Sequence, residues 1–212
     1  MTAYLFVGGK VDKSAIAIPP KSDDLCIAAD SGFDNALRLG YGSRINKLIG
    51  DFDSIKSKDI PRDAEVIRVP AEKDLTDTQL AASVAIDSGA EEIIIIGGLS
   101  GRLDHTLSNL YLLEFLAKRG IYATLTDGFN RARFIERSSL LLAKSDYKYF
   151  SLICASDVAR GVSIEGAKYP LKKAELSREL QFAVSNEIDG NCALVSVRRG
   201  SLFVIESKNA EF

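Results

Sequence analysis

The sequence contains no tryptophan, a single histidine and only three cysteines among its 212 residues. Cys26, Cys154 and Cys192 are far apart and form no CxxC pair. That spacing argues against a zinc site or a dithiol redox site, both of which need closely spaced thiols. The simplest interpretation is reduced and mostly buried thiols, as in a cytoplasmic protein.

An excess of positive charge and a long apolar run are also missing. Lys plus Arg number 27 and Asp plus Glu number 29, which gives a net charge of −2. Nucleic-acid-binding domains usually carry a basic excess, so no nucleic-acid partner is expected. No apolar run reaches the roughly 18 residues that a membrane helix needs. The first ten residues, MTAYLFVGGK, lack the basic start and cleavable apolar stretch of a secretion signal.

Three familiar motifs are absent as well. The stretch VGGK at residues 7–10 lacks the glycine spacing of a P-loop, and Val11 stands where Ser or Thr belongs. No G-x-G-x-x-G follows the first apolar run, which argues against a dinucleotide-dependent dehydrogenase. No G-x-S-x-G nucleophile elbow occurs either.

Residues 1–130 alternate short apolar runs with helical patterns, which predicts an α/β domain. Continuous aliphatic runs are typical of strands that helices cover on both faces. Thr76 precedes a helical pattern that has Gln79 three residues later, which is the signature of a capping box. The alternation predicts a mostly parallel sheet flanked by helices. The predicted strands are AYLFVGG, LCIAAD, NKLIGDFD, AEVIRVP, EEIIIIGG and YATLTDG.

Residues 131–212 show a different pattern of short runs with period-two alternation, which predicts an all-β sandwich or barrel. The segment VSVRRGSLFVIES reads as a hairpin with its turn at Arg199-Gly200. The segment LQFAVSNEI reads as a strand, and YPLKKAELSREL as a short helix or a loop. We place the domain boundary at residue 130, within a transition that covers residues 128–138.

Polar residues gather directly after the predicted strands of the first domain. The carboxyl ends of parallel strands share one edge of a sheet, where such folds bind ligands. Within IGDFDSI, strand alternation would turn Asp51 and Asp53 to the same side, where their charges repel unless a cation lies between them. The residues expected at this edge are Asp30, Asp51, Asp53, Asp74, Asp77, Arg102, Asp104 and His105.

Clustered carboxylates are hard oxygen ligands suited to Mg²⁺, which keeps its other positions for water and substrate phosphates. We choose Asp51, Asp53 and Asp77 as its ligands. The turn GGLSGR would bring backbone amides and the fork of Arg102 to an anion. Simpler alternatives remain open at this point. Asp-x-Asp can be a turn with a helix cap, Asp30 can cap the following helix, and His105 can make a structural hydrogen bond.

Taken together, DSGFDNAL, IGDFDSI, KDLTDTQLA and GGLSGRLDHTLSNL resemble the motif series of the thiamine pyrophosphokinase family in order, spacing and residues. The resemblance is close over residues 30–113 and looser towards the C-terminus. It implies transfer of pyrophosphate from ATP to the hydroxyl of thiamine with release of AMP. It also implies an α/β nucleotide-binding domain followed by a β-sandwich, in a homodimer that binds thiamine at the subunit interface.

The resemblance further implies roles for particular residues of this chain. Asp51, Asp53 and Asp77 match the magnesium-site acids. Ser185 and Asn186 match the thiamine side. The positions that match the ATP site are Asp30, Thr76, Gln79, Arg102 and Asp104.

The chain also departs from the family pattern. Ser31 and Ser100 replace glycines, and without tryptophan any aromatic contact with thiamine must come from Phe or Tyr.

The expected chemistry is an in-line displacement at the β-phosphorus of ATP, with Asp30 or Asp104 as the proton acceptor. Three other functions remain as alternatives: a phosphohydrolase with an aspartate nucleophile, a nucleotide-sugar transferase, and a nucleotide sensor without catalysis. The first usually places D-x-D after its first strand, and the second gives no reason for KDLTD or GRLDH. A turnover assay distinguishes the third, because AMP release that depends on thiamine would exclude a sensor and nucleotide binding without AMP release would support it.

Overall fold

The computed structural model describes residues 1–50, 60–69 and 74–208. The chain divides into two compact units, Met1–Gly128 and Phe129–Phe212. This division falls two residues before the boundary predicted at residue 130.

The described part of the first unit contains six strands that form one parallel sheet, in the order β4-β3-β2-β1-β5-β6. Each overlaps one of the predicted apolar runs, and β1 begins one residue before its run. The chain moves from β1 towards one edge of the sheet through β4, and then from β5 towards the other edge. The strands are β1 (Thr2–Phe6), β2 (Leu25–Ala29), β3 (Lys47–Gly50), β4 (Glu65–Arg68), β5 (Glu92–Ile96) and β6 (Tyr122–Thr126).

Three α-helices of this unit follow the predicted patterns: α1 (Gly32–Leu39), α2 (Asp77–Asp87) and α3 (Leu103–Ala117). Helix α1 ends at Gly40, whose left-handed backbone (φ 87°) is the conformation that glycine adopts without strain. Helix α2 begins after Thr76, whose hydroxyl accepts the N–H of Gln79 at 3.2 Å. The capping bond expected from the sequence is therefore present.

The core of the first unit lies between the sheet and its helices. Phe6, Phe33 and Leu48 are fully buried and belong to one apolar cluster. Neighbouring residues on β1 and β5 are also inaccessible on both faces, as the continuous apolar runs predict.

The described part of the second unit is an antiparallel sandwich. One sheet has the order β7-β13-β9 and the other has the order β11-β10-β12-β8. Alternate residues of both sheets form a single apolar core, which includes Leu152, Val162, Val195 and Leu202. The strands are β7 (Asn130–Glu136), β8 (Ser139–Ala143), β9 (Tyr149–Cys154), β10 (Val158–Glu165), β11 (Leu171–Ser177), β12 (Cys192–Ser196) and β13 (Ser201–Ser207).

Three predictions in this unit are wrong. β12 and β13 do not form a hairpin, because β12 pairs with β8 and β10 whereas β13 pairs with β7 and β9 in the other sheet. The segment predicted as a helix or loop contains strand β11, which pairs with β10. The segment predicted as a strand around Asn186 makes only isolated bridges, one of them to Phe150.

A charged group continues the inner face of the sandwich. Leu202 and Val204 of β13 point into the core, and alternation places Glu206 on the same face. Arg131 binds the Glu206 carboxylate with two bonds of 2.6 and 2.8 Å, and Arg133 also donates to it. Glu206 is only 2% exposed, so these two arginines supply the charge that its burial requires.

Within the described residues, no helix has both the length and the apolar character needed to cross a membrane.

Candidate active site

The loops after β1 and β5 interlock at the point where the strand order reverses. Val7 donates its N–H to the carbonyl of Ile96 at 2.9 Å, and Gly98 donates to Gly8 at 2.8 Å. Gly97 has φ 109°, and a Cβ there would lie 2.6 Å from the carbonyl oxygen of Val7. Glycine is therefore required for this close approach. In open α/β sheets such a reversal opens the crevice in which ligands bind.

The same bonds change the role expected for the glycine-rich turn. The N–H of Gly97 donates to Thr126 at 2.9 Å, and that of Gly98 is already bound to Gly8. These two amides thus hold three strand ends together and are not available to an anion. In the described structure, the N–H groups of residues 99–101 donate to no protein acceptor, so that part of the turn can receive a phosphate.

Two buried asparagines, for which the sequence analysis predicts no role, fix these loops. Asn35 of α1 donates to the carbonyls of Val7 and Gly9 at 2.7 and 3.0 Å. Asn109 of α3 donates to the carbonyl of Gly98 at 3.0 Å. The available signal was an amide side chain on an otherwise apolar helical face, since such a group needs a partner when it is buried.

Asp30 follows β2 and adopts an unusual backbone conformation for a non-glycine residue, with φ 51°. Its N–H donates to Ile49 at 2.9 Å, and its Oδ1 would lie 2.4 Å from a Cβ on Gly50. The carboxyl group therefore lies against the last residue of β3, directly before Asp51 in the chain. Helix α1 instead takes Ser31 as its N-cap residue, which argues against a simple capping role for Asp30.

Two of the three predicted metal ligands, Asp51 and Asp53, lie outside the described residues. Asp77 is described and is the first residue of α2, after the capping Thr76. Within the ranges that the structure describes, no three Asp, Glu, His or Cys side chains are grouped as a metal site. The proposed ligand set stays a prediction.

A cleft of about 290 Å³ lies between the start of α2 and the middle of α3. Thr76 and Gln79 line one side of it. The α3 side contributes Ser108 and the apolar residues Tyr111, Leu112 and Phe115. This arrangement combines aromatic surface with a few polar groups, as small-molecule sites do.

Arg102 and Asp104 form a two-bond ion pair at the start of α3, with distances of 3.1 and 2.6 Å. Both side chains are well exposed, at 73% and 61%. Hydrogen bonding from Arg102 lowers the pKa of Asp104, and the same bond raises the pKa of Arg102. Asp104 is thus a weaker base than an ordinary carboxylate, which makes it a poor proton acceptor. His105 donates its backbone N–H to Asp104 at 3.0 Å.

Ser185 and Asn186 belong to the second unit. Both functions of the Asn186 amide bind backbone: Oδ1 accepts the N–H of Tyr169 at 3.0 Å, and Nδ2 donates to its carbonyl at 2.7 Å. Asn186 is also buried, so its observed role is to position the segment. Ser185 is exposed, with a left-handed backbone (φ 57°). Of these two residues, Ser185 therefore has the side chain that is accessible for binding a ligand.

Comparison with known proteins is decisive on family. Residues 20–125 match the sequence model described as thiamin pyrophosphokinase, catalytic domain, and residues 138–202 match the vitamin B1 binding domain of the same enzyme. A curated relative, thiamine pyrophosphokinase from Bacillus subtilis, is 32% identical over 166 residues, which are 76% of this chain and 78% of the relative. This chain belongs to the thiamin pyrophosphokinase family.

Solved structures of the family have the same fold. A crystal structure of thiamine pyrophosphokinase from Bacillus subtilis has a TM-score of 0.88 and 26% identity, and the match covers 99% of this chain and 100% of that one. The thiamin pyrophosphokinase structure from Geobacillus thermodenitrificans has a TM-score of 0.85 and 27% identity, with 100% and 99% covered. The α/β unit followed by a β-sandwich, predicted from the sequence, is therefore confirmed.

The two serines at positions where the thiamin pyrophosphokinase pattern has glycine are accommodated without disrupting the loops. Ser100 Oγ accepts the N–H of Lys10 at 2.7 Å and so ties the loop after β5 to the loop after β1. The hydroxyl of Ser31 lies 2.6 Å from where a Cβ of Gly8 would be. Both positions lie within the matched catalytic region, and their small side chains fit the backbone path.

Proposed function

We propose that this chain is a thiamine pyrophosphokinase that transfers the terminal diphosphate of ATP to the hydroxyl of thiamine, giving thiamine diphosphate and AMP. This transfer is the known reaction of the family. The observation that carries the proposal is that both domain models of the family match one chain, in order. The switch-point crevice of the first unit is consistent with it.

In the proposed step, the thiamine hydroxyl oxygen forms a bond to the β-phosphorus of ATP. The bond from that phosphorus to the oxygen bridging the α- and β-phosphates breaks, and the electron pair leaves with AMP. The hydroxyl proton passes to a protein base. Catalysis of such transfers depends mainly on positioning and on stabilising the charge of the phosphates.

Arg102 is the proposed phosphate ligand, because its guanidinium offers paired donors at the start of α3. A phosphate would replace Asp104 as the acceptor of those hydrogen bonds. The N–H groups of residues 99–101 support the same position. The ring of Tyr111 and the polar groups of Thr76 and Gln79 make the adjoining cleft suitable for the adenine base.

Asp51, Asp53 and Asp77 would hold Mg²⁺, and the donor chemistry of this part of the chain fits that ion. Asp30 Oδ1 faces Gly50 so closely that only glycine is tolerated there, which brings a further carboxylate to the start of the Asp51–Asp53 segment. Carboxylate oxygens suit this hard cation, which keeps its other positions for water and substrate phosphates. When bound, Mg²⁺ supplies positive charge that offsets the charge of the phosphate oxygens.

Asp30 is the proposed proton acceptor. Asp104 is the alternative, but its pKa is lowered by hydrogen bonding from Arg102, and its oxygens are occupied. Asp30 lies at the end of a central strand with a conformation that costs about 1 kcal/mol or more, and such strain is commonly found at functional positions.

The proposal extends to the assembly and the compartment. We propose a homodimer, and the exposure of Leu103 and Leu107 on one stripe of α3 supports a protein contact there. Sedimentation equilibrium that gives the mass of a single chain at micromolar concentration would contradict it. A cytoplasmic location agrees with the free thiols of Cys26, Cys154 and Cys192.

The test is to incubate the protein with ATP, Mg²⁺ and thiamine and to quantify products by chromatography. Thiamine diphosphate and AMP should form in equal amounts, and omission of thiamine should abolish AMP formation. Formation of ADP would indicate transfer of a single phosphoryl group and contradict the proposal. AMP or phosphate released without thiamine would favour a hydrolase, and nucleotide binding without any turnover would favour a sensor.

A further inference from the structure

Three arginines surround a small cavity in the β-sandwich that none of the roles described above involves. The cavity has a volume of about 220 Å³ and is lined by Arg160, Gly161, Arg198 and Arg199. We call it the arginine cavity. Arg160 lies on β10, and the other two arginines lie where the chain crosses from β12 to β13.

The backbone fixes the positions of these residues. The carbonyl of Arg160 accepts the N–H groups of Arg198 and Arg199 at 3.2 and 3.1 Å, and Arg160 donates to Arg199 at 2.8 Å. Gly161 has φ 68°, and a Cβ there would lie 2.9 to 3.0 Å from the side-chain carbons of Arg198. The stem of Arg198 therefore lies directly over a position that only glycine fills comfortably.

The charges of the cavity are not balanced. Arg160 pairs with Glu175 at 2.7 Å, across an exposed surface. Within the residues that the structure describes, neither Arg198 nor Arg199 has a carboxylate partner. Three guanidinium groups against one carboxylate leave an excess of two positive charges. Arg137, which donates its N–H to Gly200 at 3.4 Å, adds a fourth basic residue to the same end of the sandwich.

We infer that the arginine cavity is a binding site for a phosphate group. The forked donors of arginine match tetrahedral oxyanions, and a phosphate with nearly two negative charges offsets the excess. The cavity is smaller than the about 300–1,000 Å³ of sites for drug-sized ligands, so it fits a free phosphate, a diphosphate or one phosphate of a larger molecule. This inference does not depend on the proposed transferase activity.

The test uses the full chain without metal, in 150 mM chloride with EDTA, and measures binding of inorganic phosphate and of diphosphate by calorimetry. The variant is R198Q/R199Q, and the matched control is R178Q, an exposed arginine of the same unit that is paired with Asp157. We expect the double variant to bind at least tenfold more weakly, with the control unchanged. The catalytic site is identical in all three proteins, so any difference between them belongs to the cavity.

Two further measurements make the result decisive. Both replaced side chains are exposed, so the melting temperature should stay within a few degrees of the parent. Vesicles with phosphatidic acid and a short DNA duplex serve as additional ligands. Equal affinity of the parent and the double variant for both phosphates would overturn the inference. So would loss of binding to vesicles or DNA in the variant when neither protein binds the free phosphates.

Discussion

The two units of this protein place polar groups in different ways. In the α/β unit, polar side chains act at the loops beyond the strands: Asn35 of α1 and Asn109 of α3 fix the loop backbone, and Arg102 and Asp104 at the start of α3 are exposed. In the sandwich, the Glu206 carboxylate lies on an inner strand face beside two arginines. Loss of a loop side chain should therefore affect activity more than stability, and loss of the buried carboxylate should do the reverse.

The largest effect is expected for Asp77→Asn. Loss of a proposed metal ligand should lower kcat/KM about a thousandfold, because charge stabilisation of the phosphates weakens. The melting temperature without metal should stay nearly unchanged, whereas the increase caused by Mg²⁺ and ATP in the parent should disappear.

Asp87→Asn is the matched control, since it makes the same charge change at the other, exposed end of α2 and should keep most of the activity. Near-normal turnover of the Asp77 variant at saturating Mg²⁺ would remove Asp77 from the metal site.

Glu206→Gln tests the other half of the comparison. Removing the carboxylate leaves two partly buried guanidinium groups without a counter-charge, which should cost about 3 kcal/mol of unfolding free energy. Urea denaturation of the variant measures this loss. Glu187→Gln removes an exposed ion pair with Lys168 and should leave the unfolding free energy nearly unchanged. Equal losses of unfolding free energy in the two variants would show that burial does not determine how much the Glu206 ion pairs stabilise the fold.

Asn35→Asp affects the loops from within the core of the first unit. The variant keeps the shape but loses the donor, and it points a carboxylate at the carbonyls of Val7 and Gly9. We expect about 2 kcal/mol of destabilisation and a higher KM for ATP, because the two buried carbonyls lose their donor and the loop after β1 shifts, while the bond from Arg38 to the other side-chain oxygen is kept. Asp34→Asn, at the preceding position, should change both quantities little. An unchanged KM would separate Asn35 from the nucleotide site.

The smallest effect concerns alkaline stability. Burial raises the pKa of the Cys26 thiol to about 11, above its ordinary value of 9. The thiol therefore ionises more readily in the unfolded chain, and its contribution to stability is complete below pH 9 and is lost as pH rises towards 11. Between pH 9 and 11, the free energy of unfolding of Cys26→Ala should therefore fall by on the order of 2 kcal/mol less than that of the parent.

Denaturation curves at several pH values, with the exposed Cys192→Ala as control, measure this difference. Burial also raises the pKa of Tyr4 to about 12, and this main cause is common to all three proteins, whereas the charge of Cys26 contributes a smaller part. Parallel curves of unfolding free energy against pH for the parent and the Cys26 variant would show that the raised pKa of Cys26 does not cause the loss of stability.

The units also differ in how much could be predicted from the sequence. Continuous aliphatic runs identify the six parallel strands, and the convergence of their carboxyl ends predicts the site edge. Alternating runs in the sandwich identify strands but not the sheet to which each belongs, because both sheets have the same inner and outer pattern. For that reason the sequence pattern of the β12–β13 segment wrongly predicts a hairpin.

The details of the site depended on close approaches that a linear pattern does not show. A glycine-rich turn suggests free amides, yet those of Gly97 and Gly98 are bound because the β1 and β6 ends lie beside them. Asn186 has the residue type of a ligand-binding group, but its amide is buried and bound to the backbone of Tyr169 and Glu187. Asp51 and Asp53 lie outside the described residues, so their placement stays a prediction.

The ion pair between Arg102 and Asp104 has a consequence for how a nucleotide is received. A free arginine side chain samples many rotamers, and fixing it on a ligand costs about 2 kcal/mol of conformational entropy. Here the guanidinium is already held in one orientation by two bonds before any substrate arrives. If Arg102 is the phosphate ligand proposed above, an arriving phosphate would replace Asp104 as its partner without immobilising a new side chain, so the conformational entropy of the protein would change little.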